Sequence, residues 1–223
     1  MAELKAVFWD HDGTLVDTEP YWIEAQLELA AIYNVPWTEE DSLACVGSPM
    51  PLSASRMQEV GVPLENEEII IWQCDRVIEL MDAKGIPWLP GVPELFDEIA
   101  EAGIRCAIVS NAWRSVVEKT ATGLPDGIVE FIIAGDEMLH AKPHPWPYRT
   151  AAERLNVPVE HAITIEDSLA GTLSAEAAGM PVLVVPSVID VPDAPGRSKA
   201  TSLADVSLDT LRAIVAGEVL SLT

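Results

Sequence analysis

Val7-Phe8-Trp9-Asp10-His11-Asp12-Gly13-Thr14-Leu15 decides the fold. An apolar run from Ala6 to Trp9 ends abruptly in a carboxylate, and a second carboxylate and a glycine follow. A short apolar run bounded by a turn signal reads as a strand buried in a parallel sheet. Open α/β sheets place their chemistry at the carboxyl ends of such strands. Side chains alternate across a strand, so Asp10 and Asp12 share a face and His11, between them, turns away. The bend at Gly13 tips both carboxylates toward a common point. Carboxylates this close repel unless a proton or a cation lies between them, and Mg²⁺ suits oxygen ligands. The plainer alternative is an Asp-Gly turn closing a strand. A calcium loop is excluded, because it needs a Glu at its twelfth position and counting from Asp10 gives Tyr21.

The chain has 223 residues, enough for one large domain or a domain carrying a smaller insertion. It is 49% hydrophobic and 22% charged, as expected of a globular protein. No arginine-rich or apolar leader and no apolar run near ~18 residues is present, so a cytoplasmic protein is expected. Cys45, Cys74 and Cys106 are scattered and odd in number, which argues against a disulfide framework or a zinc site and for packing roles. The net charge of −23 disfavours nucleic acid and anionic membranes as partners. A phosphorylated substrate meets the same repulsion, so any phosphate site must be made locally positive by a metal, a lysine and helix N-termini. A monomer or weak homodimer is expected.

Beyond the first strand, Asp17-Thr18-Glu19-Pro20 opens a helix with Thr18 as its cap, and Trp22, Ala25, Leu29, Ala30 and Tyr33 recur at helical spacing. Thr38 and Asp41 form a capping-box pattern, and Gly47–Pro51 reads as a loop. Asn66 caps a long helix that Gly85 stops. From Pro90-Gly91 the character changes. A helix over Val92–Ala102 precedes a strand at Arg105–Val109, which ends in Ser110-Asn111. Further strands are expected at Phe131–Ala134, at Ala162–Ile165 (ending in Glu166-Asp167-Ser168) and at Val182–Val185. Helices are expected near Tyr148–Leu155, Leu173–Ala178 and Leu208–Val215. Strands alternating with helices give an α/β fold with a doubly wound parallel sheet. The all-helical block 16–88 is an inserted cap, leaving 1–15 and 89–223 as the α/β core.

Polar groups now stand at or just beyond four strand ends: Asp10 with Asp12, Ser110 with Asn111, Lys142, and Glu166 with Asp167. Each alone has an ordinary explanation, as a turn, a helix cap or a solvated lysine. Together, a doubly wound sheet brings them to one place. A hydroxyl and an amide hold phosphate oxygens, a lysine neutralises them, and a second acidic pair completes a metal site. His11, His140, His144 and His161 follow no ligand spacing.

Asp10-His11-Asp12-Gly13-Thr14-Leu15-Val16-Asp17 resembles motif I of the haloacid dehalogenase-like (HAD) superfamily. Ser110 resembles its motif II, Lys142-Pro143 its motif III, and Glu166-Asp167-Ser168 with Gly171 its motif IV. The chain is most similar to the β-phosphoglucomutase-like phosphatases, whose helical cap follows motif I on a Rossmann-like core. The resemblance implies two-step phosphoryl transfer. Asp10 is then the nucleophile and Asp12 the general acid and base. Mg²⁺ is held by Asp10, the Asp12 backbone carbonyl and Asp167, with Glu166 in or beside the coordination sphere. Ser110, Asn111 and Lys142 hold the transferring phosphoryl group.

Within the family, Asp12 argues against a dehalogenase, because a departing halide needs no proton and an alkoxide does. A phosphonatase needs a cap lysine, and residues 16–88 hold only Lys84, near the hinge. The related phosphomutases carry a cap histidine where this chain has Trp22, and a cap-loop arginine that Gly47–Pro51 lacks. The cap arginines are Arg56 and Arg76. The expectation is a phosphatase of a small phosphorylated sugar or polyol. The alternatives are a sugar phosphomutase and a catalytically silent binding protein, and the latter conflicts with the retention of both Asp10 and Asp12.

Overall fold

The computed structural model describes residues 2–185 and 190–222. Met1 and Thr223, which bound the expected core segments, and residues 186–189 within the second segment lie outside the described residues. In chain order, β1 (Ala6–Trp9) leads into four helices, α1 (Glu19–Tyr33), α2 (Glu39–Leu43), α3 (Met50–Glu59) and α4 (Asn66–Lys84). Then come α5 (Val92–Glu101), β2 (Arg105–Val109), α6 (Arg114–Ala121), β3 (Val129–Ile133), α7 (Trp146–Leu155), β4 (Ala162–Glu166) and α8 (Leu169–Ala178). The chain closes with β5 (Val182–Val184), β6 (Ser198–Ala200), α9 (Leu208–Val215) and β7 (Ser221–Leu222).

The strands form one parallel sheet in the order β3-β2-β1-β4-β5-β6-β7. Both faces are buried, which is why β1, β2, β4 and β5 read as nearly continuous apolar runs. Val7, Trp9, Cys106, Ile108, Ile163 and Ile165 pack on one side with α5 and α9. Ala6, Phe8, Ala107, Val109 and Ala162 pack on the other with α7 and α8. Trp9 stacks on Phe96 of α5 at 4.6 Å between ring centres. Full burial of a side chain of this size contributes roughly 1.5–3 kcal/mol.

Register places the chemistry. Trp9 lies opposite both Ile108 and Ile165, so the three central strands end level with one another. The sheet winds outward in both directions from β1, whose carboxyl end is therefore the crevice where such sheets bind ligands. The Asp10 N–H donates to the Ile165 carbonyl at 3.0 Å, which carries the β1–β4 ladder one residue further. Asp10 thus keeps the parity of Ala6 and Phe8, and Glu166 keeps that of Ala162 and Thr164. Both carboxylates face the α7–α8 side.

The four helices α1–α4 make their own apolar cluster, built on Trp22, Leu29, Met57, Ile69 and Val77 among others, to which Val116 of α6 contributes. The two connecting segments run side by side. The Asp17 N–H donates to Pro87 O at 2.9 Å, and the Leu89 N–H to Leu15 O at 3.0 Å. Among the described residues no helix is long and apolar enough to cross a membrane.

Some local expectations shift. Thr18 occupies the N-cap of α1 but its side chain makes no cap bond, because the hydroxyl is used elsewhere. The cap of α4 falls one residue earlier, where Glu68 accepts from the Glu65 N–H at 2.9 Å and Asn66 begins the helix. Helix α8 starts four residues before Leu173, with Ser168 accepting from Gly171 N at 3.1 Å. Helix α6 and strands β6 and β7 have no counterpart in the sequence reading. Helix α6 sends Val117 into the core and Val116 into the helical cluster, so it shows no single apolar stripe.

Candidate active site

Four loops at the carboxyl ends of β1, β2, β3 and β4 meet around one cavity of about 260 Å³, toward the small end for metabolite sites. Asp10, Asp12, Ser110, Asn111, Lys142 and Asp167 all line it. Glu166 lies just behind, fully buried. The structure therefore brings together all seven residues singled out in the sequence.

Lys142 is the hub. It reaches from the loop before α7 and is 4% exposed. Its Nζ donates to Asp10 Oδ1 at 2.5 Å and to Glu166 Oε1 at 2.6 Å. Burial opposes its charge, but the carboxylates of Asp10 and Glu166 outweigh it and hold its pKa above the usual lysine value. Glu166 accepts two further hydrogen bonds, from the Tyr148 hydroxyl at 2.5 Å and from Ser168 Oγ at 3.1 Å. Gly171 makes room for this arrangement, since a Cβ there would meet the Glu166 carboxylate at 1.8–2.0 Å.

Asp10, Glu166 and Asp167 each offer an oxygen within 4.8 Å of the others. Three carboxylates around one ammonium leave an excess of negative charge. Burial, then Glu166, pushes the Asp10 carboxyl up to about 7 against the pull of Lys142. Burial, then Asp10 and Glu166, pushes Asp167 well above the ordinary carboxylate range. Such a cluster suits a hard divalent cation, which stabilises the ionised forms that burial disfavours.

Asp12 is different. Burial acts to raise its pKa, yet the adjacent His11 ring and the Thr18 and Trp22 donors outweigh it and bring it down to about 2. The Thr18 hydroxyl and the Trp22 indole N–H, the latter at 3.0 Å, both donate to Asp12 Oδ1. The expectation that His11 turns away from the aspartates is corrected. Past Asp10 the chain leaves the sheet and bends at Gly13, with φ at 79°, so strand alternation no longer applies. His11 is fully buried, with Nδ1 3.2 Å from Asp12 Oδ2 in a close contact rather than an aligned hydrogen bond. Its Nε2 is 2.7 Å from Thr120 Oγ1.

At the end of β2, Ser110 Oγ accepts from the Ala112 N–H at 3.0 Å, a local turn rather than the cap of α6. Asn111 Oδ1 is buried without a partner. Gly135, in the turn after β3, lets this loop pack closely, since a Cβ there would fall 2.1 Å from Asn111 O.

Sequence reading missed the supporting roles of three residues. Tyr148 showed only helical periodicity, Thr18 read as a cap, and Trp22, singled out as the cap position where related phosphomutases carry a histidine, was not read as a partner of Asp12. Each acts through a contact between elements distant in the chain or across a turn, which spacing does not encode.

Residues 7–185 match the model of the haloacid dehalogenase-like hydrolase family. A phosphorylated carbohydrates phosphatase of Thermotoga maritima is 30% identical over 184 residues, covering 79% of this chain and 82% of that protein. Hexitol phosphatase B of Escherichia coli is 28% identical over 225 residues, covering 98% and 97%. Among solved structures, a CbbY variant from Rhodobacter sphaeroides in complex with xylulose-(1,5)bisphosphate superposes with a TM-score of 0.84. It shares 30% identity, over 93% of this chain and 99% of that one. With its sheet order, its four loops and its buried acidic cluster already accounted for, the chain belongs to the haloacid dehalogenase-like hydrolase family.

Proposed function

We propose that this protein is a Mg²⁺-dependent phosphatase of a small phosphorylated sugar or polyol, working through an aspartyl-phosphate on Asp10. The observation that carries the reading is the shared cavity. Asp10, Lys142, Ser110 and Asn111 line it beside Asp12, whose carboxylate is anchored from the helical block by Thr18 and Trp22.

Asp10, the Asp12 backbone carbonyl and Asp167 would hold Mg²⁺, which supplies positive charge against the phosphoryl oxygens. Glu166, which accepts from Lys142, Tyr148 and Ser168, would stand in or beside the coordination sphere and also holds Lys142. In the first half-reaction an Asp10 oxygen attacks phosphorus, the ester P–O bond breaks, and Asp12 gives its proton to the departing alkoxide. In the second, water attacks phosphorus, Asp12 takes the water's proton, and the Asp10–phosphorus bond breaks to release inorganic phosphate. The low pKa of Asp12 favours the base form needed for this second step. An arriving phosphate dianion adds negative charge beside Asp12 and raises that pKa toward the acid form needed for the first. Lys142, Ser110 and Asn111 stabilise charge on the transferring group.

Residues 16–88 act as the cap that closes over bound substrate, with 1–15 and 89–223 as the catalytic core. Trp22 anchoring Asp12 at the cap position where mutases carry a histidine supports hydrolysis over transfer to a second sugar. The test is phosphate release from p-nitrophenyl phosphate. We expect turnover that requires Mg²⁺ and is abolished in a folded Asp10→Asn variant, since an amide is neither a nucleophile nor an anionic ligand. Near wild-type turnover by that variant sinks the reading.

A further inference from the structure

We infer that His11 is a positioning residue for Asp12: Thr120 fixes its ring with a proton on Nδ1, and that N–H restrains the Asp12 oxygen that exchanges the proton with substrate and water. The inference rests on the phosphatase reading and adds a residue to it. His11 acts through Asp12 and touches no reacting atom.

His11 stands between the two aspartates of the site yet takes no part in the steps assigned to them. It is fully buried. An imidazole carries two polar nitrogens, so burying one costs free energy that an apolar side chain at the same place would avoid. Each nitrogen faces one group. Nε2 is 2.7 Å from Oγ1 of Thr120, which lies on α6 and is itself fully buried. Nδ1 is 3.2 Å from Asp12 Oδ2 and has no other partner among the described residues.

These two contacts place the ring proton. The Thr120 hydroxyl has one proton to donate. The Met81 thioether also lies near it, but at 3.9 Å and as a weak acceptor, so the hydroxyl donates to Nε2. Nε2 then carries the lone pair and Nδ1 the hydrogen. The other end of the ring gives the same assignment. A bare Nδ1 would set its lone pair against a carboxylate oxygen in a buried place, whereas an N–H meets that oxygen favourably. Asp12 is thus held at both oxygens. Oδ1 accepts from Thr18 and Trp22 at the start of α1. Oδ2 accepts no aligned hydrogen bond among the described residues, which leaves it free to give and take the proton, and the His11 N–H limits where it can stand. Position matters here, because moving a catalytic group by roughly 1 Å costs on the order of 100-fold in rate.

The test rests on two amide substitutions. An asparagine amide N–H reaches about where Nδ1 lies, and a glutamine amide about where Nε2 lies. His11→Leu is expected to lower kcat on p-nitrophenyl phosphate about 10- to 100-fold. KM and the Mg²⁺ requirement should hold, since the metal would take the Asp12 backbone carbonyl and not its side chain. His11→Asn should recover most of the loss and His11→Gln should not. Equal losses in the Asn and Gln variants, or a loss that falls on KM or on the Mg²⁺ requirement instead of kcat, overturn the inference. One measurement needs no variant to fold. Proton–nitrogen correlation NMR of the histidine rings in the wild type with Mg²⁺ is expected to find Nδ1 of His11 protonated, and a bare Nδ1 overturns the inference whatever the variants do. Absence of Mg²⁺-dependent p-nitrophenyl phosphate hydrolysis by the wild type is a separate result, which removes the phosphatase reading and the inference with it.

Discussion

A side chain at position 171 and the carboxylate of Glu166 cannot occupy the same space: a Cβ on Gly171 would stand 1.8 Å from Glu166 Oε1. The first turn of α8 is thus packed against the group that holds Lys142. Gly171→Ala is expected to displace Glu166, to destabilise the fold by about 1–3 kcal/mol as overpacking does, and to lower kcat with it. Denaturant unfolding and steady-state kinetics check both effects. An unchanged midpoint and unchanged kcat contradict the packing argument.

Asp167 and Glu166 are adjacent in sequence but differ in what they can give a metal. Glu166 accepts from Lys142, Tyr148 and Ser168. Asp167 lines the cavity beside Asp10. Asp167→Ala is expected to raise the Mg²⁺ concentration for half-maximal activity by about 100-fold or more, beyond the ~10–100-fold typical of losing a ligand's supporting partner. Glu166→Ala is expected to act chiefly on stability, costing about 1–3 kcal/mol by leaving the buried Tyr148 hydroxyl without its acceptor and Lys142 with Asp10 alone. Magnesium titrations and unfolding curves of the two variants separate them. A metal defect confined to the Glu166 variant means the roles are reversed.

Much of this site was legible in the sequence because it sits at strand ends. An apolar run followed by Asp10, Ser110 or Glu166 marks both the end of a strand and the group placed there, and parallel register then brings the ends together. The four helices α1–α4 were legible as helical from the spacing of their apolar residues, which form one cluster. What was not legible depends on geometry outside regular elements. His11 follows the alternation rule only if the strand continues, and it does not. Thr18 has a cap residue's identity and position, but its hydroxyl finds Asp12 nearer than the helix N–H groups. Strands β6 and β7, three and two residues long, carry too few side chains for any periodicity to show.

Stability should depend on pH through Asp10. Its carboxyl has an ordinary value of 3.8 and is raised to about 7 in the folded, metal-free protein. Between those values the folded state binds the proton and the unfolded state does not, so this contribution to stability falls as pH rises through the window. Asp167 is shifted in the same direction. In the metal-free protein, the wild type should lose Tm relative to Asp10→Asn as pH rises from about 5 to about 8, and Mg²⁺ should restore Tm most at the upper end. Thermal melts across that range check it. Parallel curves for the two proteins contradict the assignment.

The division of labour between Asp10 and Asp12 is the centre of this account. In Asp12→Asn the backbone carbonyl that would serve the metal is kept, and Asp10 remains free to attack. The amide neither donates a proton to a leaving alkoxide nor accepts one from water, help typically worth ~10²–10⁴-fold per step. An aryl phosphate hardly needs its leaving group protonated, so the first step should persist and the second should stall. The decisive measurement mixes this variant with p-nitrophenyl phosphate and Mg²⁺, follows nitrophenol on the time scale of a single turnover, and weighs the peptide containing Asp10. The account predicts a burst of about one equivalent of nitrophenol and a phosphate mass added at Asp10. Steady turnover without a burst, or phosphate on any other residue, contradicts it.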